Sequence, residues 1–150
     1  MKIDKKIMTI AGLDYAVSIW GSGKIIFALH GFSESSSTWQ KLSLTGYKIV
    51  AIDLLGHGSS AKPDTLAPYK LDQVLSDLHL LFTQFADEKP FSLLGYSMGG
   101  RLARRYCLAY PSAPVEKLIL ESTGPGIFSI SDREKRQFTD EELAQKILLN

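Results

Sequence analysis

The chain has 150 residues, 45% of them hydrophobic and 22% charged, with a formal net charge of +1. That is enough for a core of its own, and no basic excess argues for nucleic acid. No apolar run approaches the roughly 20 residues of a membrane span, MKIDKKIMTIAG lacks the apolar stretch of a signal peptide, and the lone Cys107 excludes an intramolecular disulfide, so a cytoplasmic location is expected.

Residues 7–11 and 14–20 read as two strands around Gly12 and Leu13, the second alternating as Tyr15, Val17 and Ile19. Residues 25–29 form a continuous apolar run, the pattern of a strand buried on both faces in a parallel sheet. That run ends in His30-Gly31-Phe32, and a short helix is expected around Thr38-Trp39-Gln40. Residues 47–52 read as a further strand, ending at Asp53 and the turn Gly56-His57-Gly58-Ser59.

A helix is expected across 70–86, where Leu71, Val74, Leu75, Leu78, Leu81, Phe82 and Phe85 recur at intervals of three and four. After the short apolar strand at 91–94, a second helix starts at Met98, turns Leu102, Ala103, Tyr106 and Cys107 inward, and stops before Pro111. Residues 116–121 give one more strand, ending at Glu121-Ser122. Strands alternating with helices after an initial hairpin imply a mostly parallel sheet with helices on both faces. Phe32, Asp53, Ser97 and Glu121 all follow strand ends and should share one rim, where sites in such sheets lie. Beyond Gly124-Pro125-Gly126, two capping boxes, at 131–134 and 139–142, each open a helix. Residues 1–128 thus read as a sheet-and-helix core and 129–150 as the beginning of a helical lid.

The strand, the turn Gly95-Tyr96-Ser97-Met98-Gly99 and the helix together form G-x-S-x-G in the context of a nucleophile elbow. Such a turn holds the serine on a tight bend, and small residues at 95 and 99 let backbone approach closely. The bland alternative is a glycine-rich turn with an incidental serine, but the flanking strand and helix favour the elbow. Arg101, in the first turn of the helix, opposes the helix dipole. It serves either an anionic ligand or a structural salt bridge, and the residues alone leave both open. Arg104 and Arg105 read as a solvated face, His79 as a structural residue, and His57 as a turn residue bonding its own loop. No Cys/His cluster has metal-ligand spacing and no phosphate-cradling loop is present, so neither metal nor cofactor is expected.

LHGFSESSSTW (29–39), IDLLGHGSS (52–60), LGYSMGGRLARRYCLAYP (94–111) and LILESTGPG (118–126) follow one another as in α/β hydrolases. More narrowly, they resemble the 2-succinyl-6-hydroxy-2,4-cyclohexadiene-1-carboxylate synthase family of menaquinone biosynthesis. GYSMGGR, LEST-x-PG and the segment DREKR at 132–136 carry that narrower likeness. The resemblance implies a lyase on the hydrolase fold, which abstracts a ring proton from a carboxylate-bearing small molecule and eliminates pyruvate. It also implies roles for individual residues. Ser97 would be the base, Phe32 and Met98 the oxyanion hole, Arg101 and Arg136 the carboxylate ligands, and Tyr96 and Trp39 part of the pocket wall.

In this fold the triad acid and histidine follow the serine in sequence. Here the three histidines are His30, His57 and His79, all before Ser97, and Glu121 is an acid without a histidine to orient. The expectation is an α/β-hydrolase fold truncated after the sixth strand and the start of the lid, weakly active at most, with strand 116–121 left as an open edge. An ester or thioester hydrolase and a non-catalytic fragment are the two other readings.

Overall fold

The apolar runs 25–29 and 49–52 are buried and pair with each other at the centre of one sheet. A strand covered on both faces must be apolar at successive positions, which is why these two runs do not alternate. The computed structural model describes residues 2–124 together with Ser131 and Glu134. Its six strands are β1 (Asp4–Ile10), β2 (Leu13–Gly21), β3 (Lys24–Leu29), β4 (Tyr47–Ile52), β5 (Phe91–Tyr96) and β6 (Val115–Glu121), in spatial order β1-β2-β4-β3-β5-β6. The hairpin β1–β2 and the β2–β4 pair are antiparallel, whereas β3 runs parallel to both β4 and β5, and β5 to β6. The predicted mostly parallel sheet is therefore observed.

Two helices, α1 (Leu71–Ala86) and α2 (Met98–Ala109), cover one face of this sheet. Leu78, Leu81 and Phe82 from α1 and Ala103 and Tyr106 from α2 join Phe27, Leu29, Ile52 and Leu93 in one core. The opposite face carries Trp20, Ile26, Ala28, Ile49, Ala51 and Leu94 beneath Trp39, which comes from a 3-10 turn at Ser36–Trp39. Among the described residues, the expected helices on both faces thus resolve into two α-helices on one side and a 3-10 turn on the other.

Three side chains depart from the periodic reading of the helices. Leu71 is exposed because it opens α1, ahead of the turn that meets the core. Asp77 is fully buried inside the apolar face, where it accepts hydrogen bonds from the Tyr15 hydroxyl at 2.8 Å and from Gln73 Nε2 at 2.8 Å. Arg104 is half-buried with its Nε enclosed, rather than solvated like Arg105.

β6 forms the sheet edge among the described residues, and Leu118, Ile119 and Leu120 are 38%, 42% and 41% exposed. The expected open edge is present there. Ser131 and Glu134 are helical and exposed. The remainder of the two predicted lid helices lies outside the described residues.

Connectivity fixes where a site can form. From β3 the chain crosses the Trp39 face to β4 on one side, and from β5 it crosses the α2 face to β6 on the other. The paired strands β3 and β5 therefore lead away in opposite directions, which opens a crevice at their carboxyl ends. Leu29 pairs with Gly95 at the last rung, so His30-Gly31-Phe32 and Tyr96-Ser97-Met98 flank that crevice.

Candidate active site

Ser97 joins β5 to α2 with φ 49° and ψ −108°, a conformation L-residues rarely adopt. Its amide donates to the Glu121 carbonyl at 2.9 Å, and its carbonyl accepts from the Arg101 amide at 3.1 Å. The bend is possible because the surrounding backbone packs without side chains between. A Cβ on Gly95 would collide with the Gly100 backbone, and one on Gly99 with the carbonyls of Leu29 and His30. These are the close approaches expected of the elbow. The Ser97 side chain does not cap α2, so the first-turn N–H groups, beginning with Met98, have no partner inside the helix and lie at its positive end.

On the β3 side, Gly31 lies against the Tyr96 ring, where a Cβ would come within 2.9 Å of Cδ1. Glu34 clips this loop, its carboxylate accepting from the Gly31 amide at 2.9 Å. Phe32 is 61% exposed and sets its ring edge-on to His57, centroids 6.1 Å apart. Asp53, the strand-end acid of β4, is 5% exposed and is committed to the loops: it accepts from the amides of Ser36 at 2.6 Å and Ser59 at 2.7 Å. It joins the 31–38 and 53–60 loops beneath the rim.

The structure brings Ser97, Met98, Tyr96 and the Gly31-Phe32 loop to the same crevice and sets Arg101 one turn along α2, exposed. Arg101 makes no ion pair among the described residues, where the salt bridges are Lys6–Asp4 and Lys24–Glu116. Trp39 is 6% exposed and belongs to the core cluster against which Tyr96 packs. Arg136 lies outside the described residues. Glu121 sits at the rim through its backbone, accepting from Ser97 and from Thr123 Oγ1 at 2.9 Å, while its side chain is exposed.

The histidines are occupied elsewhere. His57 Nδ1 donates to the Leu55 carbonyl at 3.0 Å, within its own loop as predicted. His79 lies 3.0 Å from the Tyr106 hydroxyl and stacks on Tyr110 at 4.0 Å, the structural role read from the sequence. Burial pushes the Tyr106 hydroxyl up to about 12, and the Cys107 thiol is raised by the same cause. His30 is fully buried between the Gly31 carbonyl and the Leu54 amide. Among the described residues, none of the three bonds to Ser97. The roles of Glu34, Thr123 and His30 were not read from sequence; Glu34, three residues past the loop glycine, was the one with a local signal.

The family model for the alpha/beta hydrolase fold matches residues 24–150. The chain belongs to the α/β-hydrolase fold family. It is 38% identical over 141 residues to a Bacillus subtilis (strain 168) protein named "Putative 2-succinyl-6-hydroxy-2,4-cyclohexadiene-1-carboxylate synthase", covering 91% of this chain and 51% of that protein. A 2-succinyl-6-hydroxy-2,4-cyclohexadiene-1-carboxylate synthase of Enterobacter sp. (strain 638) is 32% identical over 120 residues, covering 79% of this chain and 45% of that one. Among solved structures, the thioesterase domain from the curacin biosynthetic pathway superposes with a TM-score of 0.78 at 25% identity, over 93% of this chain and 53% of the domain. The α/β-hydrolase chain thus spans about half the length of the curated relatives it matches. Among the described residues, no helix is long and apolar enough to cross a membrane, and no group of three or more His, Cys, Asp or Glu could hold a metal ion.

Proposed function

We propose that this chain is the serine-bearing part of a 2-succinyl-6-hydroxy-2,4-cyclohexadiene-1-carboxylate synthase, a lyase of menaquinone synthesis. In this reading Ser97, its own proton passed to the triad histidine, takes a ring proton from the substrate. The electrons left behind form a ring C=C bond and break the C–O bond to the enolpyruvyl group, which leaves as enolpyruvate and takes up a proton at carbon to become pyruvate. Phe32 and Met98 N–H groups stabilise the developing charge, a contribution of about 3–4 kcal/mol per donor at the upper end. Arg101, and Arg136 from the lid that begins near residue 129, pair with substrate carboxylates. Tyr96 and Trp39 shape the wall.

One observation supports this reading above the others: Ser97 is held at φ 49° in the switch-point crevice, with exposed Arg101 one turn behind it and no acid paired to that guanidinium among the described residues. A cation in the first turn of a helix is unfavourable without an anion to meet it. The two synthase-named relatives support the same assignment.

The triad acid and histidine would come from residues beyond this stretch of the protein, so the 150-residue chain alone should turn over about four orders of magnitude more slowly than the protein at natural length. The second reading, an ester or thioester hydrolase, is favoured by the likeness to the curacin thioesterase domain. Pyruvate release and p-nitrophenyl ester cleavage, assayed side by side on the protein at natural length, separate the two. Ester turnover without pyruvate release would overturn the lyase assignment. A Ser97→Ala variant at wild-type rate would remove Ser97 from the chemistry.

A further inference from the structure

His30 is completely buried at the end of β3, yet both ring nitrogens have backbone partners. The Leu54 amide lies 3.0 Å from Nε2 and must donate to it, so Nε2 is unprotonated. Nδ1 then carries the proton and donates to the Gly31 carbonyl at 2.7 Å. The same carbonyl accepts from the Glu34 amide at 3.3 Å, while the Gly31 amide is held by the Glu34 carboxylate.

That carbonyl belongs to the peptide unit whose N–H is Phe32's. No peptide among the described residues is cis, and in a trans peptide C=O and N–H point in opposite directions. The Gly31 carbonyl is turned inward onto a buried ring, so the Phe32 N–H is turned outward. We propose that His30 is a positioning residue: by holding the Gly31 carbonyl it aims the Phe32 N–H into the crevice between β3 and β5. The catalytic consequence rests on the reading of Phe32 as an oxyanion donor.

The ring can do this only while neutral, because a proton on Nε2 would face the Leu54 N–H. Burial, the largest influence, lowers the readiness of His30 to protonate, and the hydrogen bond to the Gly31 carbonyl acts the other way. The neighbouring His57 acts with burial, and the Asp53 and Glu34 carboxylates act against it. The His57 ring lies 5.1 Å off, centroid to centroid.

Long-range ¹H–¹⁵N correlation spectra of the labelled 150-residue chain read the tautomer directly, without any variant. A proton on Nδ1 at about pH 7.5 is the expected result; a proton on Nε2 would overturn the proposal. His30→Leu removes the donor, whereas His30→Asn keeps an N–H close to the Nδ1 position. In the protein at natural length, His30→Leu should shift the Phe32 amide resonance and lower kcat by roughly tenfold to a hundredfold, with KM little changed. His30→Asn should restore most of that loss. A Phe32 amide that His30→Leu leaves unmoved, or an Asn variant as impaired as the Leu variant, would refute the positioning role. A moved amide with wild-type kcat would instead refute the oxyanion assignment of Phe32, so the two failures are distinguishable.

Discussion

The Ser97 amide donates to the Glu121 carbonyl across 2.9 Å, tying the strand-to-helix bend to the last residue of the edge strand. The bend stores strain, because Ser97 holds φ 49° with a side chain attached. Ser97→Gly should therefore stabilise the fold by about 1 kcal/mol, as relief of the strained conformation outweighs the extra freedom of glycine in the unfolded chain. Ser97→Ala keeps the strain and should be neutral within about 0.5 kcal/mol. Urea denaturation of the two variants checks the contrast.

His30 predicts a pH dependence of stability. Its imidazole is held neutral in the fold, while in the unfolded chain it titrates near 6.5. Between the lowered folded value and about 6.5 the unfolded chain binds more protons. The stability is therefore fully present above about pH 6.5 and is lost as pH falls below it toward the folded value. Urea midpoints measured between about pH 7.5 and 5 should fall more steeply in the wild type than in His30→Asn; equal slopes would contradict this.

Asp77 is fully buried within the apolar face of α1, and Tyr15 supplies one of its two hydrogen bonds. The carboxylate also raises the Tyr15 hydroxyl, although burial is the larger cause. Tyr15→Phe should cost about 2 kcal/mol, the range for a hydrogen bond to a charged group. A double-mutant cycle with Asp77→Asn should give a coupling of about 1 kcal/mol or more. Additive effects would show that the pair contributes nothing jointly.

The edge strand β6 offers three exposed aliphatic residues and an unpaired backbone edge among the described residues. The 150-residue chain should associate reversibly with rising concentration, because such an edge accepts another strand. Ile119→Lys should suppress that association at a cost within about 1 kcal/mol in stability. Sedimentation velocity over a concentration series measures both; a wild-type chain that stays monomeric at high concentration would count against it.

Where burial dictates residue type, the sequence was easy to read. The runs in β3 and β4 are apolar throughout because a polar side chain is costly to bury in a strand covered on both faces. β1 was harder: Asp4, Lys5 and Lys6 are exposed, and their register with β2 comes from backbone pairing that side-chain patterns do not record. Asp77 and Arg104 escaped for a related reason, since a charged residue on a helix reads as solvated until its distant partner or cover is known. In the candidate site, the elbow was legible from its spacing together with the flanking strand and helix, because hard-sphere contacts permit little at Gly95 and Gly99. Of the two hydrogen bonds of His30, one joins it to Leu54 on another loop, and nothing local announces it. The roles of Trp39 and Arg101 rest on what fills the crevice, which neither periodicity nor burial specifies.

The tight seating of α2 on the sheet has a bearing on how such proteins diversify. Because Gly95 and Gly99 leave no slack between helix and strand, the Ser97 backbone is located by the core beneath it. Changes above the rim can then alter which molecule is held and which bond breaks while the serine stays in register. That separation of a rigid anvil from an exchangeable tool allows the same scaffold to appear in proteins named as synthases and in a thioesterase domain.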